Sequence, residues 1–389
     1  MEKLIILALT VSAGCGLLYR EGLMPRKGVG RSGVFALLLL AMGARCVLAG
    51  RTPSAEEDAL LDALSWFRGA GGFPGVRYYS GPYAVGMQYL LASCAYTPRG
   101  SVYIFKCMEF LGDLLLAWCG QRCVRSVSGK PRPRLWVFLF MLLLPSGILA
   151  SSGGMGTSFY ALFPTLAAAL ILSGRFALGG ALLGAAVAFQ PMVLWVLPVF
   201  LVFPAVRENL GRTLLSLAGG YLLLLLPALL LGRSGELLFP FWPGLGAYAA
   251  LQKQRGAPGL YAISPALSRA AGIAAYAVLA GLTIFRLSGP DAVHDRRRQL
   301  CALVFSALAA GALLPGMSAG ALVCADGLCM ALCALEAGLT PAVICAEAAS
   351  FGAMAGHLFP ALFPLPLYWP AALLFLGLLL LLGNVLFRK

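Results

Sequence analysis

The sequence predicts an all-α protein that crosses a membrane many times, and its composition is the main reason. Hydrophobic residues make up 60% of the 389 residues and charged residues only 11%, with a mean hydropathy of +0.87. Soluble proteins carry about a quarter charged residues and about half apolar ones. A chain of this size cannot hide so much apolar surface in water-soluble cores. We therefore expect a polytopic bundle of transmembrane helices in the cell membrane.

The second reason is the repetition of long apolar runs. A bilayer core requires roughly 20 apolar residues per helix, with about 17 as the lower limit. Runs near this length lie at 4–19, 33–49, 101–120, 135–151, 159–173, 176–190, 191–203, 213–232, 267–285, 300–314, 321–335, 341–356 and 370–387. They predict about 11–13 membrane segments.

The first run predicts a retained helix rather than a signal peptide. Its basic cluster follows the apolar run instead of preceding it, and no clear small-x-small cleavage site is present. We expect residues 1–32 to form this extra helix and a basic loop, and residues 33–389 to form the main transmembrane domain.

The basic residues predict the orientation. The chain has 29 Lys and Arg against 15 Asp and Glu, a net charge of +14. If the helices alternate, these basic residues share one side: Arg20, Arg26, Lys27, Arg31, Arg122, Arg125, Lys130, Arg132, Arg134, Arg175, Arg207, Arg212, Arg286, Arg296, Arg297, Arg298, Arg388 and Lys389. The positive-inside rule makes that side, with the C-terminus, cytoplasmic. The excess charge is then a topology signal, and we expect no nucleic-acid partner.

Two longer connections, at about 50–100 and 233–265, fall on the opposite side. In the first, segment 53–68 predicts a short helix, because Pro and Ser begin it, acids fill the first turn, and apolar residues follow at helical spacing. We expect it to lie in the membrane interface with Leu60, Leu61, Leu64 and Phe67 available for burial. Segment 84–96 is too short to span the bilayer.

The helix after the first outer loop carries Lys106, Glu109 and Asp113 at i, i+3 and i+7, which places them on one face. Ionisable groups inside a membrane usually face a protein interior or a water-filled cavity. Lys106 is placed to pair with Glu109, and Asp113 lies one turn deeper. The pattern suits an internal ion pair that fixes helix packing, or a polar wall that meets an anionic lipid phosphate.

The order of these features resembles the GT-C superfamily of multi-spanning membrane glycosyltransferases. It is most similar to bacterial relatives of the second mannosyltransferase of GPI-anchor synthesis. The matching features are an acid of the first outer loop, Asp58 or Glu57, the aromatic stretch from Tyr79 to Tyr83, and Lys106 with Asp113 seven residues later. The resemblance covers about residues 33–389.

Several polar positions of the family's later motifs are lost. Gly153, Met155 and Thr157 stand where Trp, Gln and Asp are typical, and Gln190 replaces a Lys between Phe and Pro. Residues 317–321 lack the polar members of a late Met-His-Glu-Arg-Tyr motif. The resemblance therefore rests on layout more than on invariant residues.

The resemblance implies transfer of a mannose-like sugar from a polyprenyl-phosphate-linked donor to an unidentified glycan or protein acceptor, on the extracytoplasmic face. Asp58 or Glu57 would be the general base. Candidates for binding the substrate are the cationic and polar residues Arg51, Arg77, Lys106, Asp113, Lys253 and Arg255. Membrane lipids are the other expected partners; no cofactor beyond the donor is implied, and no ligand motif supports a divalent metal.

Two alternatives remain open from the sequence. The lost polar residues suit a catalytically inactive scaffold of the same fold in envelope glycan assembly. A secondary transporter would use buried ionisable groups along its path, namely Lys106, Glu109, Asp113, Asp326 and Glu347. No inverted pair of broken helices with matching sequence supports transport.

Overall fold

A computed structural model shows a helical bundle. The structure describes residues 2–25, 28–49, 55–81, 83–97, 101–206, 208–233, 259–289, 295–315, 317, 319–360, 363–364, 366 and 368–386. Within these ranges there is no β-strand, which confirms the all-α prediction.

Seventeen helices occur in the described part of the chain. Their bounds are α1 Glu2–Arg20, α2 Val29–Leu48, α3 Ala55–Gly69, α4 Val85–Ala95, α5 Ser101–Val127, α6 Pro131–Leu143, α7 Pro145–Ser152, α8 Thr157–Leu172, α9 Phe176–Phe189, α10 Val193–Val206, α11 Leu210–Leu230, α12 Leu260–Ile263, α13 Pro265–Leu287, α14 Arg296–Leu313, α15 Ala319–Leu335, α16 Thr340–Leu358 and α17 Tyr368–Leu386. A single π-helical turn lies within α13.

Several of these helices are long and apolar enough to cross a membrane. On length and composition five qualify in the described residues: α1, α2, α11, α13 and the segment Ala337–Leu358 that contains α16. A sixth span results if α6 and α7 are counted as one bent helix. Other apolar helices are shorter; α8, for example, has 16 residues, about 24 Å of helix against a hydrocarbon core of about 30 Å. The prediction of multiple membrane-crossing helices is confirmed at this level.

The span predicted as one helix over residues 135–151 is instead two helices, α6 and α7, bent by 48°. Proline explains the break. Pro145 has no N–H for the helical ladder, and it disfavours helical geometry in the residue before it. Leu144 accordingly adopts φ −57° and ψ 121°. The sequence contains this proline, but the apolar run around it concealed the bend.

Glycines allow α9 and α11 to pack with their backbones in contact. A Cβ placed on Gly184 would lie 2.0 Å from the carbonyl oxygen of Leu217, and one on Gly220 would lie 2.1 Å from that of Ala181. Small residues at such positions let membrane helices approach closely. This seam places the end of α11 beside the first outer loop.

The connection that the sequence predicts as the first outer loop folds on the bundle as α3, a short 3₁₀ turn at Phe73–Arg77, and α4. Helix α3 confirms the short helix predicted over 53–68, although residues 53 and 54 lie outside the described ranges. Leu60, Leu64 and Phe67 are buried as expected, whereas Leu61 is 44% exposed.

A tyrosine locks this loop to α11. The Tyr89 hydroxyl donates to the carbonyl of Leu224 at 2.8 Å and accepts from the N–H of Ala228 at 3.0 Å. It therefore bonds two groups of α11 that lie one helical turn apart, beside Pro227, whose missing N–H interrupts the helical ladder. The loop and α11 consequently form one packed unit.

Candidate functional site

A column of buried polar side chains runs into the bundle from the first outer loop. We call Glu57, Lys106, Glu109, Asp113 and Arg45 the polar column. At its outer end, the Lys106 ammonium lies 2.9 Å from Oε1 of Glu57, and Lys106 is only 2% exposed. The sequence predicted a pair between Lys106 and Glu109; that prediction is wrong, because α3 brings Glu57 over the start of α5 and supplies the partner.

The inner end of the column is a second ion pair. Nε of Arg45, on α2, lies 2.6 Å from Oδ2 of Asp113, and both side chains are buried. The guanidinium also donates to Ser151 Oγ at 3.1 Å and to the Leu142 carbonyl at 2.6 Å, next to the α6–α7 bend. The hydroxyl of Ser158 donates to the other oxygen of Asp113. These bonds satisfy a pair that would otherwise be costly to bury.

Arg45 is not among the site residues predicted from the sequence. Arg45 is the one charged residue of the apolar run 33–49, and that was the signal that could have found it, because an intramembrane charge marks an internal partner. A cavity of about 10 Å³ adjoins Arg45 and Asp113, with Gly147 and Gly327 among its walls. That is close to the minimum space for one water molecule.

Glu109 lies between the two ion pairs and belongs to neither. Its Oε1 accepts the N–H of Thr157 at 3.2 Å, and the whole side chain is buried. Its Oε2 has no hydrogen-bond partner among the described residues. The polar column therefore contains two cations and three carboxyl groups, and Glu109 is the carboxyl group that is not in an ion pair.

The other predicted site residues are dispersed. Asp58 is exposed, on the outer surface of α3 next to the paired Glu57. Arg77 is also exposed, and its guanidinium carbon lies 5.1 Å from the centre of the Tyr78 ring. Arg51, Lys253 and Arg255 lie outside the described residues. Of the predicted set, the structure joins Glu57 and Lys106 directly, and aligns Asp113 below them.

The aromatic stretch that follows α3 is fixed by one arginine. Arg233, just beyond α11, donates to the carbonyls of Val76 at 3.0 Å and Tyr79 at 2.8 Å, and to the side chain of Gln88. The ring of Tyr79 stacks on Phe67 of α3, with centroids 4.8 Å apart. The stretch thus holds the orientation of α3, and with it Glu57 and Asp58.

Residues from two of the three later motif positions in the sequence line one cavity. Gln190, Met317, Gly320 and Ala321 all line a space of about 60 Å³ between α8, α10, α14 and α15. Its other walls are mainly apolar. These residues lie far apart in the sequence, and the fold brings them together.

A second buried acidic site lies at the N-terminus of α7, where Asp326 and Glu347 meet Ser146. Ser146 donates its N–H to Glu347 Oε1 at 2.9 Å, and its hydroxyl lies 2.9 Å from Glu347 Oε2 and 3.3 Å from Asp326 Oδ2. Ser350 donates to the other oxygen of Asp326 at 3.0 Å. We call Asp326 and Glu347 the acid pair. No salt bridge within the described ranges neutralises it.

At another end of the bundle, one carboxylate gathers several arginines. Glu21 lies within 3.2 Å of nitrogens of Arg122, Arg125 and Arg134, and also accepts the indole N–H of Trp118. Arg296 donates to the Ser126 carbonyl nearby. We call this region, where α1, α5, α6 and α14 meet, the arginine end.

Burial would raise the pKa of the Glu21 carboxyl, which lies just beyond the α1 span. Hydrogen bonds from Trp118 and Arg122, with the charges of Arg122 and Arg134, outweigh that effect and hold the pKa below its usual range. Glu21 therefore stays ionised and ties α1 to α5 and α6.

Within the described parts of the chain, no group of three or more His, Cys, Asp or Glu side chains is arranged to hold a metal ion. No protein-family model matches the chain, and no curated protein is significantly similar to it.

Proposed function

We propose that this protein is a GT-C-like integral membrane glycosyltransferase with about 11–13 membrane segments. It would transfer a mannose-like sugar from a polyprenyl-phosphate donor on the extracytoplasmic face. The observation that carries the proposal is the contact between Glu57 of the outer helix α3 and Lys106 of α5. The acid-bearing loop and the Lys-x6-Asp helix, whose order suggested this family, meet at one end of the bundle.

The two neighbouring acids of α3 take different roles in this proposal. In the reaction, an acceptor oxygen forms a bond to the anomeric carbon while the bond from that carbon to the phosphate oxygen breaks. Asp58 faces outwards and would accept the proton of the acceptor hydroxyl. Lys106, buried on the bundle side, would stabilise the departing phosphate, and Glu57 would orient its ammonium group.

Asp58→Asn tests this assignment in the purified full-length protein with a polyprenyl-phosphate sugar as donor. We expect sugar transfer to fall about 10²–10⁴-fold while the protein stays folded, the usual range for losing a general base. Asp62→Asn is the matched control, because Asp62 is also exposed on α3. Full activity of Asp58→Asn would refute the base assignment. No transfer by the wild-type protein with any lipid-linked sugar would favour the inactive scaffold, consistent with the apolar cavity.

Transport is the second candidate, and the acid pair is the observation that favours it. Discontinuous helices with intramembrane acids are typical of secondary transporters. The acid pair lies at the N-terminus of α7, directly after the 48° bend. The Ser146 hydroxyl has one proton for two carboxyl groups, so a proton held on one of them would complete both hydrogen bonds.

Proteoliposomes with an internal pH dye distinguish the two candidates. A transporter would move protons in response to a gradient, and Asp326→Asn would abolish this movement. Asp58→Asn would leave it unchanged. A glycosyltransferase would move no protons in this assay, and its sugar transfer would depend on Asp58 but not on Asp326.

A further inference from the structure

An apolar groove faces outwards between α6 and α15. Its volume is about 480 Å³. We call it the α6–α15 groove; its walls include Arg132, Trp136, Phe140, Met330, Cys333 and Ala334. The rings of Trp136 and Phe140 are about half exposed and stack with centroids 5.3 Å apart, so that they form a raised wall along one side. This surface is not covered by any described part of the chain.

The mouth of the groove is positively charged. Arg132 lies in the first turn of α6, Lys130 precedes the helix, and that turn contains no acidic residue. The positive end of the helix dipole favours an anion at this position, although Pro131 and Pro133 supply no N–H groups to bind it. Arg132 is exposed and forms no salt bridge with any described residue.

The two arginines in the first turn of α6 differ in whether a carboxylate neutralises them. Arg134 lies two residues further along α6 and points into the protein, where it bonds Glu21 at 2.9 Å and Gln121 at 2.9 Å. One arginine of the turn is therefore neutralised inside the arginine end. The other remains at the head of an apolar groove without a carboxylate.

We propose that the α6–α15 groove binds one anionic phospholipid, with its phosphate at Arg132 and an acyl chain between the Trp136–Phe140 wall and Met330. From Arg132 to Phe140 is about 12 Å along the helix, which leads from headgroup depth into the hydrocarbon region. Tryptophan suits that boundary because its ring is apolar and its N–H is polar. Basic pockets between membrane helices bind anionic headgroups in this way. The site does not depend on the proposed transferase reaction.

Native mass spectrometry of the full-length protein in detergent tests the proposal. The probes are phosphatidylglycerol, phosphatidylcholine with the same acyl chains, and glycerol 3-phosphate. We expect phosphatidylglycerol to bind about fivefold more tightly than phosphatidylcholine, as one interfacial Arg contributes about that factor. Glycerol 3-phosphate should bind far more weakly, because the groove needs the acyl chain.

Three variants locate the site. Arg132→Gln should remove the preference for phosphatidylglycerol, and Arg132→Lys should retain most of it. Arg175→Gln is the matched control: Arg175 is exposed at the start of α9, near Ser173, whose hydroxyl contacts Ser126 of the arginine end at 2.8 Å. Equal binding of the two lipids, an unchanged preference in Arg132→Gln, an equal loss in Arg175→Gln, or tight binding of glycerol 3-phosphate alone would each overturn the proposal.

Discussion

Replacing Glu21 by Gln tests whether one carboxylate docks the first helix on the rest of the bundle. Arg122 and Arg125 are 36% and 52% exposed, so solvent screens their ion pairs, which contribute at most about 1 kcal/mol each. Arg134 is only 10% exposed. Removing the partner of such a buried charge costs about 3–5 kcal/mol. We therefore expect Glu21→Gln to lower the free energy of unfolding by about 4 kcal/mol, most of it through Arg134.

Titration with SDS in mixed micelles at neutral pH measures this free energy. Arg125→Gln is the control, because it removes only the most exposed contact of Glu21 and should cost less than about 1 kcal/mol. If Glu21→Gln costs no more than Arg125→Gln, the carboxylate does not hold α1, and the apolar packing of that helix is sufficient.

The same variant has a defined pH signature. The pKa of Glu21 is lowered in the folded protein, so its stabilising contribution is complete above the unfolded carboxyl value of about 4.3. That contribution is lost as the pH falls from there through the lower folded pKa. The wild-type protein should thus lose more stability than Glu21→Gln on acidification below about pH 4. Equal acid sensitivity of the two proteins would contradict the pairing of Glu21.

Three further changes probe the packing, each by the same SDS titration. Gly184→Ala should lower the free energy of unfolding by about 1–3 kcal/mol, because its new Cβ would overlap a carbonyl of α11. Gly219→Ala is the control, because a Cβ there meets nothing within 4 Å and should be neutral. Equal effects of the two variants would argue against the α9–α11 seam. Tyr89→Phe should cost about 1–3 kcal/mol by leaving a donor and an acceptor of α11 unpaired, and a silent change would show that these groups find other partners. Arg45→Met should cost about 3–5 kcal/mol, because it leaves Asp113 buried without its partner, and adding Asp113→Leu should recover part of that loss. A double variant less stable than Arg45→Met would refute the ion-pair explanation.

The sequence was sufficient to predict what depends on local periodicity. The short helix at 53–68 followed from capping residues and apolar spacing, and the shared face of Lys106, Glu109 and Asp113 followed from the helical repeat. Both rules concern residues within a few turns of one another. They hold whatever the rest of the bundle does.

The partners of those charges could not be predicted, because they come from distant parts of the chain. Glu57 is 49 residues from Lys106, and Arg45 is 68 residues from Asp113. Asp326 and Glu347 stood out as intramembrane acids, but their connection through Ser146 depends on the bend at Pro145. The apolar composition of residues 135–151 predicted one continuous span. It did not predict the bend at Pro145, because hydropathy is insensitive to a missing backbone N–H group.

The two ion pairs of the polar column also constrain how the protein enters the bilayer. Each charge placed alone at the centre of a membrane helix costs about 2.5–3.5 kcal/mol on insertion scales, so α5 with Lys106, Glu109 and Asp113 is a poor candidate for independent insertion. Its two charged partners, Glu57 and Arg45, both precede it in the chain and are already synthesised when α5 emerges. Arg45 in turn leaves α2 with an unpaired charge until Asp113 arrives. We therefore expect α2 and α5 to settle as a pair, with α3 folding over the start of α5 as they join.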